Sequence, residues 1–232
     1  MNAPLTPDQL ENIRRLDGGT LANAIETFFH KRRPNESYTD QSIKCLFPKL
    51  PPIAGYAATV KTCASVSPTA NEGCPDRTDW WDYVLSLPAP RIVVVQDVAI
   101  KIGLCSFLGA IHANILRALG CVGALTNGSA HDLPDVENSK FQMYASGVCI
   151  SHSYVHITGM GTPVEIGGLR VCSGDLLHGD LHGVQTIPMD IADKIEPVAV
   201  QINMKEKALM DLCQSKDFSL QKLHEALARK RS

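Results

Sequence analysis

The sequence contains no apolar run long enough to cross a membrane. Its longest apolar stretches fall well short of the roughly 18 residues that a membrane span needs. The first residues, Met1 to Pro4, have neither the basic region nor the apolar segment of a secretory signal peptide. We therefore expect a cytoplasmic protein that makes no use of a membrane.

Long basic runs and closely paired cysteines are absent as well. The formal net charge is −2, which argues against a dedicated nucleic-acid-binding protein. The densest cation cluster, residues 30–33, lies where a helix is expected to end, and cations there complement the helix dipole. The eight cysteines include no C-x-x-C pair, and several lie in apolar runs, where cysteine behaves as a small hydrophobic residue. We expect a reduced protein without disulfides.

A chain of 232 residues does not need such covalent support. At this length a domain buries roughly 70% of the surface that its unfolded chain exposes. We predict a single α/β domain over residues 1–232, with its core at about 10–190. A helical extension is predicted at about 191–232.

Helix signals occur near the beginning of the chain. The segment Thr6–Asp8 supplies a hydroxyl cap, a proline at the first helical position and an acid in the first turn. Gly18-Gly19 breaks this helix, Thr20 is predicted to cap a second one, and Pro34 is predicted to end it. Residues 53–61 alternate loosely and predict a strand.

The middle of the chain predicts a βαβ unit. After a short helix at Trp80–Leu87, capped at Thr78-Asp79, the run Arg91–Gln96 is continuously β-branched, as in a strand covered on both faces. An amphipathic helix is predicted at Ser106–Leu119, with Gly120 ending it. A second buried strand follows at Cys121–Thr126.

The second half of the chain predicts short strands separated by glycine turns. These predicted strands are Val148–Ile157, Val164–Ile166, Leu169–Val171, Leu176–Leu177 and Val184–Ile187. Such a series is typical of a β-meander or small barrel. Asp190 is predicted to cap a helical segment that Pro197 interrupts, and a last amphipathic helix is predicted at Ser219–Arg229.

The ends of the two predicted parallel strands are the places where a ligand is expected, because α/β proteins bind ligands beyond such ends. Asp97 and the loop Lys101–Ser106 follow the first strand, and the predicted helix after that loop favours an anion at its N-terminus. The turn Thr126–Asp132 follows the second strand and places the Asp132 carboxylate beside His131. Together these groups suit a divalent cation and an oxyanionic substrate, although such turns also occur without any ligand.

Three segments resemble motifs of one superfamily. The stretch Gly109–Asp132 is similar to the pattern GE…A…G…G…DG…RD of the RraA-like proteins (regulator of ribonuclease activity A) and 4-hydroxy-4-methyl-2-oxoglutarate aldolases. Pro163–Val184 resembles the second signature, PV-x-IGG-x-x-V-x-PGD…D-x-x-GV, and Leu16–Ala24 resembles the opening helix. The matches are collinear over about residues 10–190. The resemblance implies a compact β/β/α layered domain of the swivelling-domain type with N- and C-terminal helical arms, assembled into homotrimers or homohexamers.

The resemblance also implies a chemistry. The superfamily includes class II aldolases that cleave 4-hydroxy-4-methyl-2-oxoglutarate and 4-carboxy-4-hydroxy-2-oxoadipate, with oxaloacetate decarboxylation as a related activity. It also includes a non-catalytic inhibitor of ribonuclease E. By this resemblance, Asp132 binds Mg²⁺ or Mn²⁺ and His131 contacts a small 2-oxo acid. Asp97, from its position beside the first loop, is predicted as an accessory catalytic group. The implied binding segment for the substrate carboxylate is Gly103, Leu104, Cys105, Ser106, Phe107 and Leu108.

Two positions depart from the family motif. His131 stands where the motif has arginine, and Ala110 stands where it has glutamate. Arginine is always charged and grips a carboxylate through two bonds, whereas histidine is only partly charged near neutral pH. Two hypotheses therefore stay open. The first is a metal-dependent carbon–carbon lyase that forms pyruvate, and the second is a catalytically silent binding or regulatory protein.

Two further groups of histidines admit a functional or a structural interpretation. His152 and His156 fall on one face of a predicted strand, where they could be a metal-binding pair or residues that pack across strands. His178 and His182 flank Asp180 in a glycine-rich turn. These three residues could form a His/Asp site or be part of an ordered turn.

Overall fold

The helices and strands of the protein are seen in a computed structural model that describes residues 4–28, 37–64, 75–99, 101–152 and 154–230. Within these residues the helices are α1 (Pro7–Arg15), α2 (Gly18–Phe28), α3 (Arg77–Leu85), α4 (Ala110–Ala118), α5 (Leu133–Asn138), α6 (Ile195–Gln214) and α7 (Leu220–Lys230). The strands are β1 (Lys44–Cys45), β2 (Ile53–Cys63), β3 (Arg91–Asp97), β4 (Ser106–Leu108), β5 (Cys121–Thr126), β6 (Ser129–Ala130), β7 (Gln142–Ala145), β8 (Gly147–Val148), β9 (His156–Met160), β10 (Val164–Ile166), β11 (Leu169–Val171), β12 (Leu176–Asp180) and β13 (Gly183–Ile187). The predicted cation cluster at 30–33 and the helix end at Pro34 lie outside the described residues.

One large sheet contains the parallel strands on which the site was predicted. Strands β7, β5, β3 and β2 lie side by side and run parallel. Antiparallel strands extend both edges, with β1 beside β7 and with β12 and β13 beyond β2. β9 also pairs with β2. The predicted βαβ unit is confirmed, because β3 and β5 pair in parallel and α4 lies between them in the chain.

Helices cover one face of this sheet, and a β-hairpin covers the other. Helices α3, α4 and α5 bury Trp80, Leu116 and Val136 against one face. The hairpin of β10 and β11 buries Ile166 and Val171 against the other face. The layers are therefore helix, sheet and hairpin, which is the β/β/α arrangement that the resemblance implied.

Strand β3 is buried on both sides. Val93 and Val95 pack towards the helices, and Ile92 and Val94 pack towards the hairpin. Complete burial of such a side chain contributes about 1.5–3 kcal/mol to stability. The continuous β-branched run at Arg91–Gln96 is therefore explained by apolar neighbours on each face.

The helical arms meet at the β12 edge of the sheet. Helices α1 and α2 and the first turns of α6 share an apolar cluster that includes Ile13, Leu21, Ile25, Leu176 and Ile195. In the part of the chain that the structure describes, no helix has the length and the hydropathy that crossing a bilayer requires.

Two predicted segments were wrong because tertiary pairing divides them. The predicted helix Ser106–Leu119 begins as strand β4, which pairs with β6, and becomes helical only at Ala110. The predicted strand Val148–Ile157 is not continuous. Its first residue belongs to β8, which pairs with β6, whereas its end belongs to β9, which pairs with β2.

Three predicted helix boundaries also need correction. The cap of α2 is Asp17, whose carboxylate accepts hydrogen bonds from the amide and hydroxyl of Thr20. The cap of α3 is Asp76, which lies before the predicted Thr78-Asp79. Helix α6 begins at Ile195, after the predicted Asp190 cap. Pro197 is its third residue and does not interrupt it, because the backbone N–H groups of the first helical turn have no acceptor within the helix and proline lacks only such a group.

Arg91 connects the ends of two helices to the beginning of β3, and its loss should destabilise the fold. Arg91 is 8% exposed, and its guanidinium donates to the carbonyl oxygens of Leu85, Leu87 and Leu119. We expect Arg91→Met to lower the free energy of unfolding by about 3 kcal/mol, because three carbonyl groups lose their donors. Urea denaturation measures this loss. The exposed Arg117→Met is the control, and equal effects of the two substitutions would contradict the prediction.

Candidate functional site

The candidate site lies where β3 and β5 end side by side. Asp97 is the last residue of β3, and Asn127 is the first residue after β5. The Asn127 Oδ1 atom accepts from the Asp97 amide at 2.7 Å, and its Nδ2 donates to the Asp97 carbonyl at 3.0 Å. These two bonds extend the pairing of β3 with β5 beyond its last backbone pair, Val95 and Thr126, and hold together the loops that follow the two strands.

The Asp97 carboxylate organises the loop that follows it. The side chain is 6% exposed; Oδ1 accepts from the Ala99 amide at 2.9 Å and Oδ2 from the Gly103 amide at 3.0 Å. Both oxygens are therefore engaged inside the protein. The sequence predicted an accessory catalytic carboxylate here. The structure shows the contacts of Asp97 with the loop backbone, and its catalytic role stays a prediction.

Three of the six amides in the predicted cradle, Gly103–Leu108, are engaged within the protein. The Gly103 amide donates to Asp97, the Ser106 amide to the Ser151 carbonyl at 3.0 Å, and the Leu108 amide to the Ser106 hydroxyl at 3.2 Å. Cys105, Ser106, Phe107 and Leu108 are buried, and Leu104 is exposed. The second half of this segment, Ser106–Leu108, forms strand β4 rather than the free N-terminus of a helix.

His131 and Asp132 lie together at the surface. His131 Nδ1 is 3.1 Å from Asp132 Oδ1, and the two side chains are 20% and 45% exposed. Asp132 has a left-handed backbone, with φ at 56°, a conformation that aspartate tolerates better than most residues. Its Oδ2 accepts from the Ala110 amide at 3.2 Å, in the first turn of α4. The turn after β5 therefore meets the N-terminus of α4.

The electrostatics at this turn favour the ionised carboxylate. The Ala110 N–H is the main reason that the pKa of Asp132 lies below its usual value, and His131 lowers it further, while partial burial opposes both. The positive end of the helix dipole acts in the same direction. Asp132 is thus held as an accessible anion.

Gly109 allows this close approach. A β-carbon at this position would overlap the His131 ring and would lie 2.9 Å from Asp132 Oδ2. The Nε2 side of His131 consequently rests against the Gly109 backbone, and Nδ1 faces Asp132. Glycine is required here by space, since its backbone is extended rather than left-handed.

Two more histidines border the site. The ring centre of His152 is 6.3 Å from that of His131. His112 is 9% exposed, and its ring centre is 4.9 Å from Phe107 and 6.0 Å from Trp80. Burial lowers the pKa of His112 to about 4, and the positive charges of Arg77, His131 and His152 act in the same direction.

Sequence reasoning did not assign either histidine to this site. The sequence placed His152 and His156 on one strand. In the structure His152 lies after the end of β8, whereas His156 begins β9 and its Nδ1 contacts the Tyr154 carbonyl at 3.0 Å. The one feature of the sequence that could have placed His112 near the site is its position in α4, three residues after Gly109. That signal is weak, because the same spacing is typical of packing residues.

The second histidine group lies at the β12 edge and forms an ordered turn. Asp180 is 5% exposed and accepts from the amides of Gly18 and His182 at 2.7 and 2.8 Å. His182 Nδ1 lies 3.1 Å from the Asp180 carboxylate, and His178 Nε2 contacts the Leu16 carbonyl. These contacts join the hairpin of β12 and β13 to the start of α2.

The donor set at Asp132 fits a cation that takes few protein ligands. Among the described residues, no group of three or more His, Cys, Asp or Glu side chains is arranged so that it could hold a metal ion. Asp132 presents an accessible carboxylate, whereas Asp97 is buried and each of its carboxylate oxygens accepts from a backbone amide. Mg²⁺ is commonly held by one or two carboxylates, with water or substrate in the remaining positions. The residues present therefore fit a divalent cation that is bound mainly through Asp132.

Comparison with known proteins gives one family match. The sequence model of the RraA-like family, described as Aldolase/RraA, matches residues 18–185. A protein of Halalkalibacterium halodurans named as a proposed 4-hydroxy-4-methyl-2-oxoglutarate aldolase is 26% identical over 132 residues, which cover 53% of this chain and 60% of that protein. The aligned stretches span only 21% and 60% of the lengths of the curated relatives that the chain matches.

Solved structures show the same fold. An uncharacterized protein from Pseudomonas syringae has a TM-score of 0.76 at 19% identity, covering 99% of this chain and 97% of that one. Streptomyces coelicolor RraAS2, an unusual member of the RNase ES inhibitor RraA protein family, has a TM-score of 0.68 at 18% identity, covering 89% and 98%. At these identities the likeness shows the fold alone.

Removal of the Asp97 carboxylate should loosen the first loop of the site. In Asp97→Ala the Ala99 and Gly103 amides lose their acceptors, so we expect both to exchange with deuterium at least about 10-fold faster. Hydrogen–deuterium exchange measures this rate. Asp82→Ala, an exposed position on α3, is the control. Unchanged protection of the two amides would show that Asp97 does not hold the loop.

The buried His112 should make stability depend on pH. Its folded pKa of about 4 lies below the ordinary value of 6.5, so its contribution is complete above pH 6.5 and is lost as the pH falls towards 4. The loss amounts to about 3 kcal/mol. We expect His112→Phe, which preserves the ring packing, to flatten this part of the profile in urea denaturation. His224→Gln is the exposed control, and parallel profiles for all three proteins would contradict the prediction.

Proposed function

Because this chain belongs to the RraA-like family, we propose that it is a carbon–carbon lyase that cleaves a small 2-oxo acid to pyruvate. The observation that carries the proposal is the accessible Asp132 carboxylate at the first turn of α4, with His131 at 3.1 Å. The relative named as an aldolase supports the choice of reaction. Substrates of the proposed class are 4-hydroxy-4-methyl-2-oxoglutarate and oxaloacetate.

In the proposed reaction, negative charge develops on the enolate oxygen of the pyruvate that is formed. Retro-aldol cleavage removes the proton of the 4-hydroxyl group, breaks the C3–C4 bond and leaves the enolate of pyruvate, which then takes a proton at C3. Catalysis requires stabilisation of the enolate oxygen. A divalent cation at Asp132, Mg²⁺ or Mn²⁺ by the family resemblance, supplies Lewis-acid stabilisation of that charge when it is bound.

The residues of this chain orient the substrate in the proposal. His131 provides a donor where the family motif has arginine, and Asp132 holds the imidazole in place. Three amides of Gly103–Leu108 are already used within the protein, so the positive end of α4 takes over part of the attraction for the substrate carboxylate. Asp97 positions the loop and is not in contact with the reacting atoms.

A silent regulatory protein is the second proposed function. Three observations favour it: His131 replaces the motif arginine, Ala110 replaces the glutamate, and three amides of the predicted cradle are already engaged within the protein. The structural neighbour from Streptomyces coelicolor belongs to a family described as RNase ES inhibitors. Under this alternative the site keeps its shape and releases no pyruvate. For either function we propose assembly into homotrimers or homohexamers.

Pyruvate release distinguishes the two functions. We expect wild-type protein to release pyruvate from 4-hydroxy-4-methyl-2-oxoglutarate or oxaloacetate in the presence of Mg²⁺ or Mn²⁺. Asp132→Ala should lower kcat/KM at least about 100-fold, because the carboxylate that binds the cation is lost. His131→Arg, which restores the motif, should retain or raise activity. A coupled lactate dehydrogenase assay measures the rate.

The control is Asp135→Ala, an exposed acid three residues away in α5. Wild-type protein that releases no pyruvate with either substrate and either metal supports the regulatory alternative. Equal rates for wild type and Asp132→Ala would remove Asp132 from the mechanism.

A further inference from the structure

A cavity of about 280 Å³ lies at the β12 edge of the sheet, where the hairpin of β12 and β13 meets the first turn of α2. Its lining includes Gly18, Gly19, Ala22, Tyr38, Asp180 and His182. Pockets of roughly 300–1,000 Å³ hold drug-sized molecules, so this cavity suits a smaller ligand.

The cavity lies at the opposite end of the sheet from the candidate site. Gly179 in β12 pairs with Ile53 at the start of β2, whereas Asp97 in β3 pairs with Thr62 near the end of β2. At about 3.3 Å per residue, these two pairs are roughly 30 Å apart along the strand. A ligand in this cavity is therefore separate from the substrate of the proposed lyase.

Glycines allow three segments to converge around the cavity. A β-carbon at Gly18 would lie 2.9 Å from the Asp180 carboxylate, and one at Gly183 would lie 2.7 Å from the Thr39 hydroxyl. Gly183 also has a φ of 140°, a conformation that other residues rarely adopt. The first turn of α2, the end of the hairpin and Thr39 can therefore approach one another closely.

A histidine and a buried aspartate form one wall of the cavity. His182 Nδ1 lies 3.1 Å from the Asp180 carboxylate, and the two side chains are 67% and 5% exposed. Burial opposes ionisation of Asp180, but hydrogen bonds from Gly18 and His182 outweigh it and hold the pKa of Asp180 below its usual value. The carboxylate accepts the Nδ1 proton of the imidazole, which leaves Nε2 as a hydrogen-bond acceptor when the ring is neutral.

Two polar atoms of the lining are available to a ligand. They are His182 Nε2 and the Tyr38 hydroxyl, and neither forms a hydrogen bond with another residue that the structure describes. Tyr38 is 42% exposed and is held beside β13 by a bridge to Gln185. A ligand that reaches both atoms needs a donor for the imidazole and an acceptor for the phenol O–H.

The remaining lining favours a neutral, flat ligand. Gly18, Gly19 and Ala22 present only backbone and one methyl group, and no lysine or arginine of the described chain lines the cavity. Asp17 adds a second carboxylate beside that of Asp180, because its Oδ1 would lie 3.3 Å from a β-carbon at Gly19. Two carboxylates without a permanent cation repel an anionic ligand.

We propose that this cavity binds a small neutral heterocycle whose edge carries an N–H donor beside an acceptor, as the edge of a free nucleobase does. The N–H donates to His182 Nε2, and the Tyr38 hydroxyl donates to the neighbouring acceptor. The flat ring lies on the apolar part of the lining, and the Tyr38 ring offers a face on which it stacks. This ligand site is independent of Asp132 and of the proposed lyase.

Titration calorimetry on the 232-residue chain, with uracil and adenine as probes, tests the proposal. We expect saturable binding of at least one base with a Kd below about 1 mM, which is reasonable for a ligand of so few atoms. His182→Asn keeps a donor for Asp180 but lacks Nε2, and it should weaken binding at least about 10-fold. Ala22→Phe fills the cavity and should abolish binding. Circular dichroism checks that both variants fold.

Two variants and one compound serve as matched controls. Leu181→Ala alters the exposed tip of the same hairpin outside the lining, and Asp132→Ala alters the candidate site, so both should bind the base as wild type does. Orotate is uracil with an added carboxylate, and it should bind at least about 10-fold more weakly than uracil because of the charges of Asp17 and Asp180.

Three results would overturn the proposal. The first is the absence of saturable binding of either base to wild-type protein. The second is binding that His182→Asn and Ala22→Phe leave unchanged, or that Asp132→Ala abolishes, because the ligand would then lie elsewhere. The third is orotate binding as tight as that of uracil, which would contradict the selection of a neutral ligand.

Discussion

The parallel pairing of β3 with β5 is the interaction on which the candidate site depends. It places the ends of two strands side by side, and Asn127 extends the pairing past Asp97 through two further hydrogen bonds. The segments that leave these ends then pair again, because β4 lies beside β6 and β6 lies beside β8. The loops that surround the site are consequently strand-like, and their backbone groups are used by the protein itself.

This second layer of pairing limits what the site can offer to a ligand. Polar groups in the interior, such as Asp97 and Ser106, are engaged by neighbouring main-chain groups and stabilise the loop. The accessible groups lie at the outer edge, where Asp132 and His131 meet the first turn of α4. The accessible polar side chains of the candidate site are therefore concentrated at the positive end of one helix. The same residues would distinguish an active lyase from a regulator with the same fold.

Much of the fold could be predicted from the chain because its strongest patterns are local. The β-branched run at Arg91–Gln96 predicts a doubly covered strand, and Thr6–Asp8 predicts a helix start that the structure confirms with a full capping box. The ends of the elements were less predictable. Ser106–Leu108 has an apolar pattern that suits either a helix or a strand, and only pairing with Ser129–Ala130 makes it a strand. In the site, His131 and Asp132 were found through their motif, whereas His152 was not.

The amino-acid sequence alone was sufficient for the family, the βαβ unit and the neighbouring pair His131 and Asp132, because hydrophobic periodicity and motif order are properties of residues close together in the chain. The sequence alone did not identify the groups that contact His131 and Asp132 in the folded protein. The Ala110 amide lies 22 positions before Asp132 in the chain, and His152, 21 positions after His131, follows a strand, β8, that pairs with β6. Such approaches depend on how three strands and a helix pack, and no local pattern contains that information.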